Sequence, residues 1–105
     1  MKDKPPKRFQ QFTKDYPEIA KAYFEIGEAV HKAGPLDDKT RALVKIAISG
    51  ASRQEGGFHA HVRKARRQGI SKEEIQHVAL LTLPTLGFPS MMMLLSWIDD
   101  VFDKD

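Results

Sequence analysis

Apolar residues recur along most of this chain at intervals of three and four, the spacing of one face of an α-helix. Ile19, Tyr23, Ile26 and Val30 make the first clear stripe, with Ala20, Ala22 and Ala29 as small fillers. That segment opens at Asp15-Tyr16-Pro17-Glu18, where a proline is tolerated in the first turn and an acid suits the helix N-terminus. Lys32-Ala33-Gly34-Pro35 ends it. Upstream, Phe9 and Phe12 also carry helical spacing, so a short helix is predicted there. Residues 1–8, with Lys2, Lys4, Lys7 and the pair Pro5-Pro6, read as a flexible arm.

A second helix is predicted from Leu36-Asp37-Asp38-Lys39-Thr40, with an aspartate as cap. Leu43, Val44, Ile46, Ala47 and Ile48 make it apolar on most sides, which predicts burial on more than one face. A third runs from about Gln54 or Gly57 to Gln68, and Gly69 stops it. Ile70-Ser71-Lys72-Glu73-Glu74-Ile75 then holds a capping box (Ser71 with Glu74) inside a hydrophobic staple (Ile70 with Ile75). The helix that follows carries Ile75, Val78, Ala79, Leu80, Leu81 and Leu83, and its all-apolar second half is expected at the centre of the core. Pro84 to Pro89 breaks the pattern, and a last helix is predicted over Ser90 to Phe102. Met91, Met92, Met93, Leu94, Leu95, Trp97, Ile98, Val101 and Phe102 point in too many directions for a small monomer to bury. This last helix is therefore expected to form a homo-oligomer interface. The fold class is all-α, an antiparallel helical bundle with short connections, and residues 1–105 read as one domain.

Composition narrows the chemistry. Charged residues make up 30% of the chain and the net charge is +3, which fits a globular protein and is too weak for a nucleic-acid signature. The chain has no cysteine, so thiolate nucleophiles, disulfides and Cys-ligated metals are excluded. No apolar run approaches the ~20 residues of a membrane helix and no secretory signal is visible, so a cytoplasmic protein is expected.

A carboxylate and two imidazoles crowd together only at Glu55-Gly56-Gly57-Phe58-His59-Ala60-His61. At about 100° per residue, Phe58, Val62 and Ala65 form the buried stripe, Glu55 and His59 lie on one flank, and His61 on the other. The two histidines stand roughly 160° apart and cannot share one metal ion from a regular helix. Glu55 with His59 has the i,i+4 spacing of a ligand pair but needs a third donor from elsewhere, with His77 or His31 as candidates. The reading adopted is no metal and no cofactor. His61 is taken as general acid or base, and Glu55 with His59 as an accessory pair in which the carboxylate favours the charged imidazole. Opposing these roles is a plainer reading: Glu55 sits in a first turn favoured by the helix dipole, and His61 is a core-edge histidine. Arg63, Lys64, Arg66, Arg67 and Lys72 form a basic face. It is a solvated surface, a source of ion pairs to the acidic tail of a neighbour, or an anion subsite in which Arg63 holds a carboxylate. No aromatic residue interleaves these charges, which argues against nucleic acid. His77 reads as a core histidine and the methionine run as packing.

Three segments in order carry a resemblance. Thr40-Arg41-Ala42-Leu43-Val44 leads a helix. His61-Val62-Arg63-Lys64-Ala65 then precedes Gly69-Ile70-Ser71-Lys72-Glu73-Glu74-Ile75, and Gly87-Phe88-Pro89 follows. From about Leu36 to Val101 this resembles the carboxymuconolactone decarboxylase family, which includes the alkylhydroperoxidase D-like proteins. The resemblance implies an all-helical fold assembled as trimers or hexamers, and one of two chemistries. One is decarboxylation of 4-carboxymuconolactone without metal or organic cofactor. The other is hydroperoxide reduction by a Cys-x-x-Cys pair, aided by an upstream glutamate and a histidine. On this chain the thiol positions fall on Gln54 and Gly57, the glutamate on Ala42 and the histidine on His61. Cysteine peroxidase chemistry is thereby rejected, since neither Gln nor Gly supplies a thiolate. Two functions remain: cofactor-free acid–base chemistry on a small carboxylated molecule, decarboxylation or lactone and keto acid conversion, or a non-enzymatic oligomeric module that binds small molecules or serves as a scaffold.

Overall fold

The computed structural model describes residues 5–103, and among these every regular element is helical. The order is α1 (Lys7–Asp15), α2 (Pro17–Lys32), α3 (Asp38–Ala51), α4 (Glu55–Arg67), α5 (Lys72–Leu81), α6 (Leu83–Leu86) and α7 (Phe88–Phe102). The chain divides into two compact units, one reaching Asp37 and one starting at Asp38. Of the segment expected to be an arm, residues 1–4 lie outside the described residues, while Lys7 and Arg8 already belong to α1.

The first unit is a hairpin of α1 and α2. Phe9 meets Phe24 edge-on at 6.1 Å, and Phe12 packs on Tyr16 at 5.9 Å. Pro17 occupies the first turn of α2, where its missing N–H costs nothing. Ala20 is buried, whereas the predicted stripe of Ile19, Tyr23, Ile26 and Val30 is exposed.

The second unit holds the core. Ile46 of α3, Phe58, Val62 and Ala65 of α4, Ile75 and Ala79 of α5, and Leu94, Ile98 and Val101 of α7 form it, with Ile70 from the α4–α5 turn. Contacts set the helix directions. Arg53 reaches Ser90 at the starts of α4 and α7, and Arg66 reaches Val101 at their ends, so these two helices run parallel. Lys39 bridges to Glu74 between the first turns of α3 and α5, which pairs those two the same way. A Cβ on Gly50 would lie 3.0 Å from the Phe58 ring and 3.1 Å from Leu94, tighter than ordinary packing, so glycine lets these side chains close in.

Local signals end α4 and start α5. The Ile70 N–H donates to the Ala65 carbonyl and the Gly69 N–H to that of Arg66, a Schellman closure that needs a positive φ at Gly69, found at +87°. The Ser71 hydroxyl accepts from the Glu74 N–H at 3.0 Å and the Ser71 N–H donates back to the Glu74 carboxylate at 3.0 Å, completing the predicted capping box. Glu74 thus faces both the Lys39 ammonium and the Ser71 amide, which together hold its carboxyl down at about 2, from an ordinary 4.5.

Three sequence expectations need correction. The apolar second half of α5 is not central: Ile75 and Ala79 are buried one turn apart, but Leu80 and Leu81 are 50% and 64% exposed, because one face of α5 meets α3 and α7 and no element of this unit covers the other. In α3, Ile46 is buried while Val44 and Ile48 stay exposed for the same reason. The last helix begins at Phe88, with Gly87 as its N-cap at φ +97°, and it is α7 that supplies the core stripe Met91, Leu94, Ile98 and Val101. Of the large side chains on α7, Phe88 and Met92 remain exposed.

Replacing Phe58 by alanine empties the space between α3, α4 and α7 and is expected to cost about 3–5 kcal/mol, read as a lowered midpoint in urea unfolding. Glu74→Gln is expected to destabilise the protein at neutral pH. Because the folded carboxyl is depressed, the wild-type advantage should be full above about 4.5 and should vanish as pH falls toward 2. Thermal melts of both proteins across that range check the sign, and added salt should shrink the gap.

Candidate functional site

The α4–α7 contact carries the polar cluster. Buried Phe58 and half-buried Trp97 pack with ring centroids 5.7 Å apart, and this contact fixes the spacing of the two helices. His59 follows Phe58 by one residue and therefore emerges at the edge of that contact. Its imidazole lies 6.0 Å from the Trp97 ring, and its Nε2 is 3.1 Å from Oδ2 of Asp100. Both side chains are partly buried, at 19% and 32% exposure, so solvent only partly screens their interaction. Glu55, exposed in the first turn of α4, stands one turn before His59. The donor atoms of Glu55, His59 and Asp100 all lie within 4.8 Å of one another.

The predicted accessory pair of Glu55 and His59 is thus brought together, and a third member joins it that sequence reasoning missed. Asp100 lies on the last helix, 41 residues from His59. Neither His77 nor His31, the donors sought from sequence, takes that place: His77 lines a different groove and His31 belongs to α2. A sequence signal existed, since Asp100 stands three residues after Trp97 on the flank of an apolar helix, but the pairing of α4 with α7 was not readable.

His61 is half-buried on α4, and the regular helix holds it about 160° from His59. Arg63 comes one turn after His59 on the same flank and is half-buried. Two members of the basic face make contacts within the chain. Arg66 donates to the Val101 carbonyl at 2.7 Å and lies over the Phe102 ring at 5.7 Å. Lys72 contacts Asp103 at 2.9 Å and Asp99 at 3.1 Å, and these carboxylates raise its pKa. Its pairing therefore adds stability that is present at neutral pH and fades as pH rises past the ordinary lysine value. On α3, burial lowers the pKa of Lys45, and Lys64 and Arg41 add repulsion.

A second feature lies on the other side of the unit. A groove of about 550 Å³ runs along α3, α5 and α6, lined chiefly by Leu43, Val44, Val78, Leu81 and Leu86, with Glu74 and His77 among its polar residues. Among the described residues, no helix is long and apolar enough to cross a membrane.

Comparison with known proteins reaches the same region. The chain is 36% identical over 59 residues to an uncharacterized protein of Haemophilus influenzae, covering 56% of this chain and 52% of that one. It is 30% identical over 76 residues to an uncharacterized protein of Methanocaldococcus jannaschii, covering 71% and 73%. It is also 30% identical over 57 residues to an uncharacterized protein in the cox locus of Paracoccus denitrificans, covering 54% and 51%. The match thus spans about half the length of the Haemophilus and Paracoccus relatives. No solved structure matches the chain. The model of the carboxymuconolactone decarboxylase family matches residues 17–100, which takes in all of α3 to α6 and most of α7 with the His59–Asp100 contact. The all-helical architecture agrees with that match, and the chain belongs to the carboxymuconolactone decarboxylase family.

Proposed function

We propose that the protein performs cofactor-free acid–base chemistry on a small carboxylated molecule, with His59 as its proton-transfer group. The observation that carries this reading is the contact of 3.1 Å between His59 Nε2 and Asp100 Oδ2 at a partly buried helix crossing. An Nε2–H held by the Asp100 carboxylate leaves Nδ1 as the base and favours the imidazolium that forms when it takes a proton. Such a base removes a proton beside a carbonyl in a lactone or keto acid. In a decarboxylation, the carbanion left by departing carbon dioxide takes its proton from the imidazolium. Glu55 adds negative charge one turn away. Arg63, on the same flank, is the group best suited to a substrate carboxylate, which guanidinium binds with two parallel hydrogen bonds. His61, on the opposite flank, is the competing proton-transfer group. Thiol peroxidase chemistry is not part of the proposal, because the chain has no cysteine.

A second reading, that of a non-enzymatic module for small molecules, is supported by the groove on α3, α5 and α6. Its apolar walls suit a hydrophobic ligand rather than a carboxylate. Assembly into a homo-oligomer belongs to either reading, since Met92 and Phe88 of α7 and the Ile19–Val30 stripe of α2 stay exposed.

Screening lactones and keto acids by thermal shift, then by proton–deuterium exchange in NMR, is the test. His59→Ala should slow exchange or turnover by roughly 10²–10⁴-fold, and Asp100→Asn should slow it less, while His61→Ala should leave most of the rate. Full activity in His59→Ala with loss in His61→Ala would move the proton-transfer role to the other flank. Binding without turnover that is abolished by Val78→Trp, which fills the groove, would favour the second reading.

A further inference from the structure

We infer that Glu55, His59 and Asp100 form a binding site for a divalent transition-metal ion. The three side chains offer one imidazole nitrogen and two carboxylate oxygens, and these atoms lie within 4.8 Å of one another. Two of the donors stand one turn apart on α4, the spacing at which a helix presents a ligand pair to one ion. The third comes from α7, which the Phe58–Trp97 packing holds against α4, so the donors rest on two braced helices rather than on loops.

Size and charge agree with this use. Metal–donor bonds of about 2.0–2.1 Å in a tetrahedral site put neighbouring donors about 3.3 Å apart. His59 Nε2 and Asp100 Oδ2 are already 3.1 Å apart, and the exposed Glu55 side chain has only to swing inward. Two carboxylates beside a neutral imidazole carry a net charge of −2. A proton on His59 offsets one unit of that charge, and a divalent cation offsets both. Nitrogen with oxygen and no sulfur selects Zn²⁺, Co²⁺ or Mn²⁺ over soft copper(I), and the imidazole disfavours Ca²⁺ and Mg²⁺. Three protein ligands leave at least one coordination position for water or for a ligand oxygen, on the exposed side marked by Glu55.

This inference uses the same side chains as the acid–base reading but does not rest on it. An ion at the site needs the Nε2 lone pair, so it displaces the proton that His59 would otherwise share with Asp100. The ion-bound and proton-paired forms are alternative states, and affinity should rise with pH as protons cease to compete.

The test is titration of Co²⁺ into untagged, chelator-dialysed protein, followed by its visible absorption, with Zn²⁺ calorimetry in parallel. One ion per chain is expected, bound more tightly at pH 7.5 than at 5.5. His59→Ala should abolish binding, Asp100→Asn and Glu55→Gln should each weaken it roughly tenfold or more, and His77→Ala should bind as the wild type does. Glu55 is exposed, so its variant keeps the question open to measurement if changes at His59 or Asp100 disturb the helix contact. The inference is overturned if wild-type protein shows no saturable binding, or if Glu55→Gln and Asp100→Asn bind as tightly as wild type. Loss of proton exchange in His59→Ala alongside an absence of Co²⁺ binding would remove the metal site and leave the acid–base reading standing.

Discussion

The packing of Phe58 decides most of what this protein can do. Its ring is buried to 1% exposure, against Trp97 on one side and in the space Gly50 leaves on another. A buried aromatic of this size contributes several kilocalories per mole and tolerates little displacement, because interiors are close-packed. Helical rotation then does the rest: the residue after Phe58 must lie at the rim of the same contact, where α7 is within reach. His59 is held opposite Asp100 by apolar packing, not by the polar interaction itself, which at a half-screened surface would be too weak to align two helices.

Charge is distributed along the same axis. Basic residues gather at the end of α4 and the start of α5, and α7 ends in Asp99, Asp100 and Asp103. Arg66 and Lys72 turn inward to these C-terminal groups. At a helix C-terminus such cations also meet the negative end of the helix dipole, as Arg66 does on the carbonyl of Val101. Two members of the basic face, Arg66 and Lys72, are thus engaged by the end of α7, while Arg63 lies on the flank of the His59 cluster.

The sequence resemblance implies either thiol chemistry or cofactor-free proton transfer, and the residues of α4 bear on that choice. The resemblance puts its thiol positions on Gln54, the residue before α4, and on Gly57 in its first turn. The flank of α4 that these residues vacate carries His61. The opposite flank carries Glu55, His59 and Arg63, and there Asp100 of α7 comes within reach of His59 and Glu55. The proton-paired and cation-bound forms proposed for the Glu55–His59–Asp100 cluster are both answers to the same pair of carboxylates beside an imidazole.

Much of the local structure follows from sequence alone. Pro17, the Gly69 stop and the Ser71–Glu74 box are interactions among residues within a few positions of each other, so composition and spacing suffice to place them. The amphipathic stripe of α4 also follows, since Phe58, Val62 and Ala65 recur at the helical period, and with it the separation of His59 from His61. Tertiary structure decided the rest. Whether Leu81 or Leu94 lies inside depends on which neighbours cover it, and periodicity records only that a helix is apolar, not where its partners stand. Asp100 joins His59 because two helices far apart in sequence run parallel and in register. No local preference encodes that register, which is set by how the rings of Phe58 and Trp97 fill one shared space.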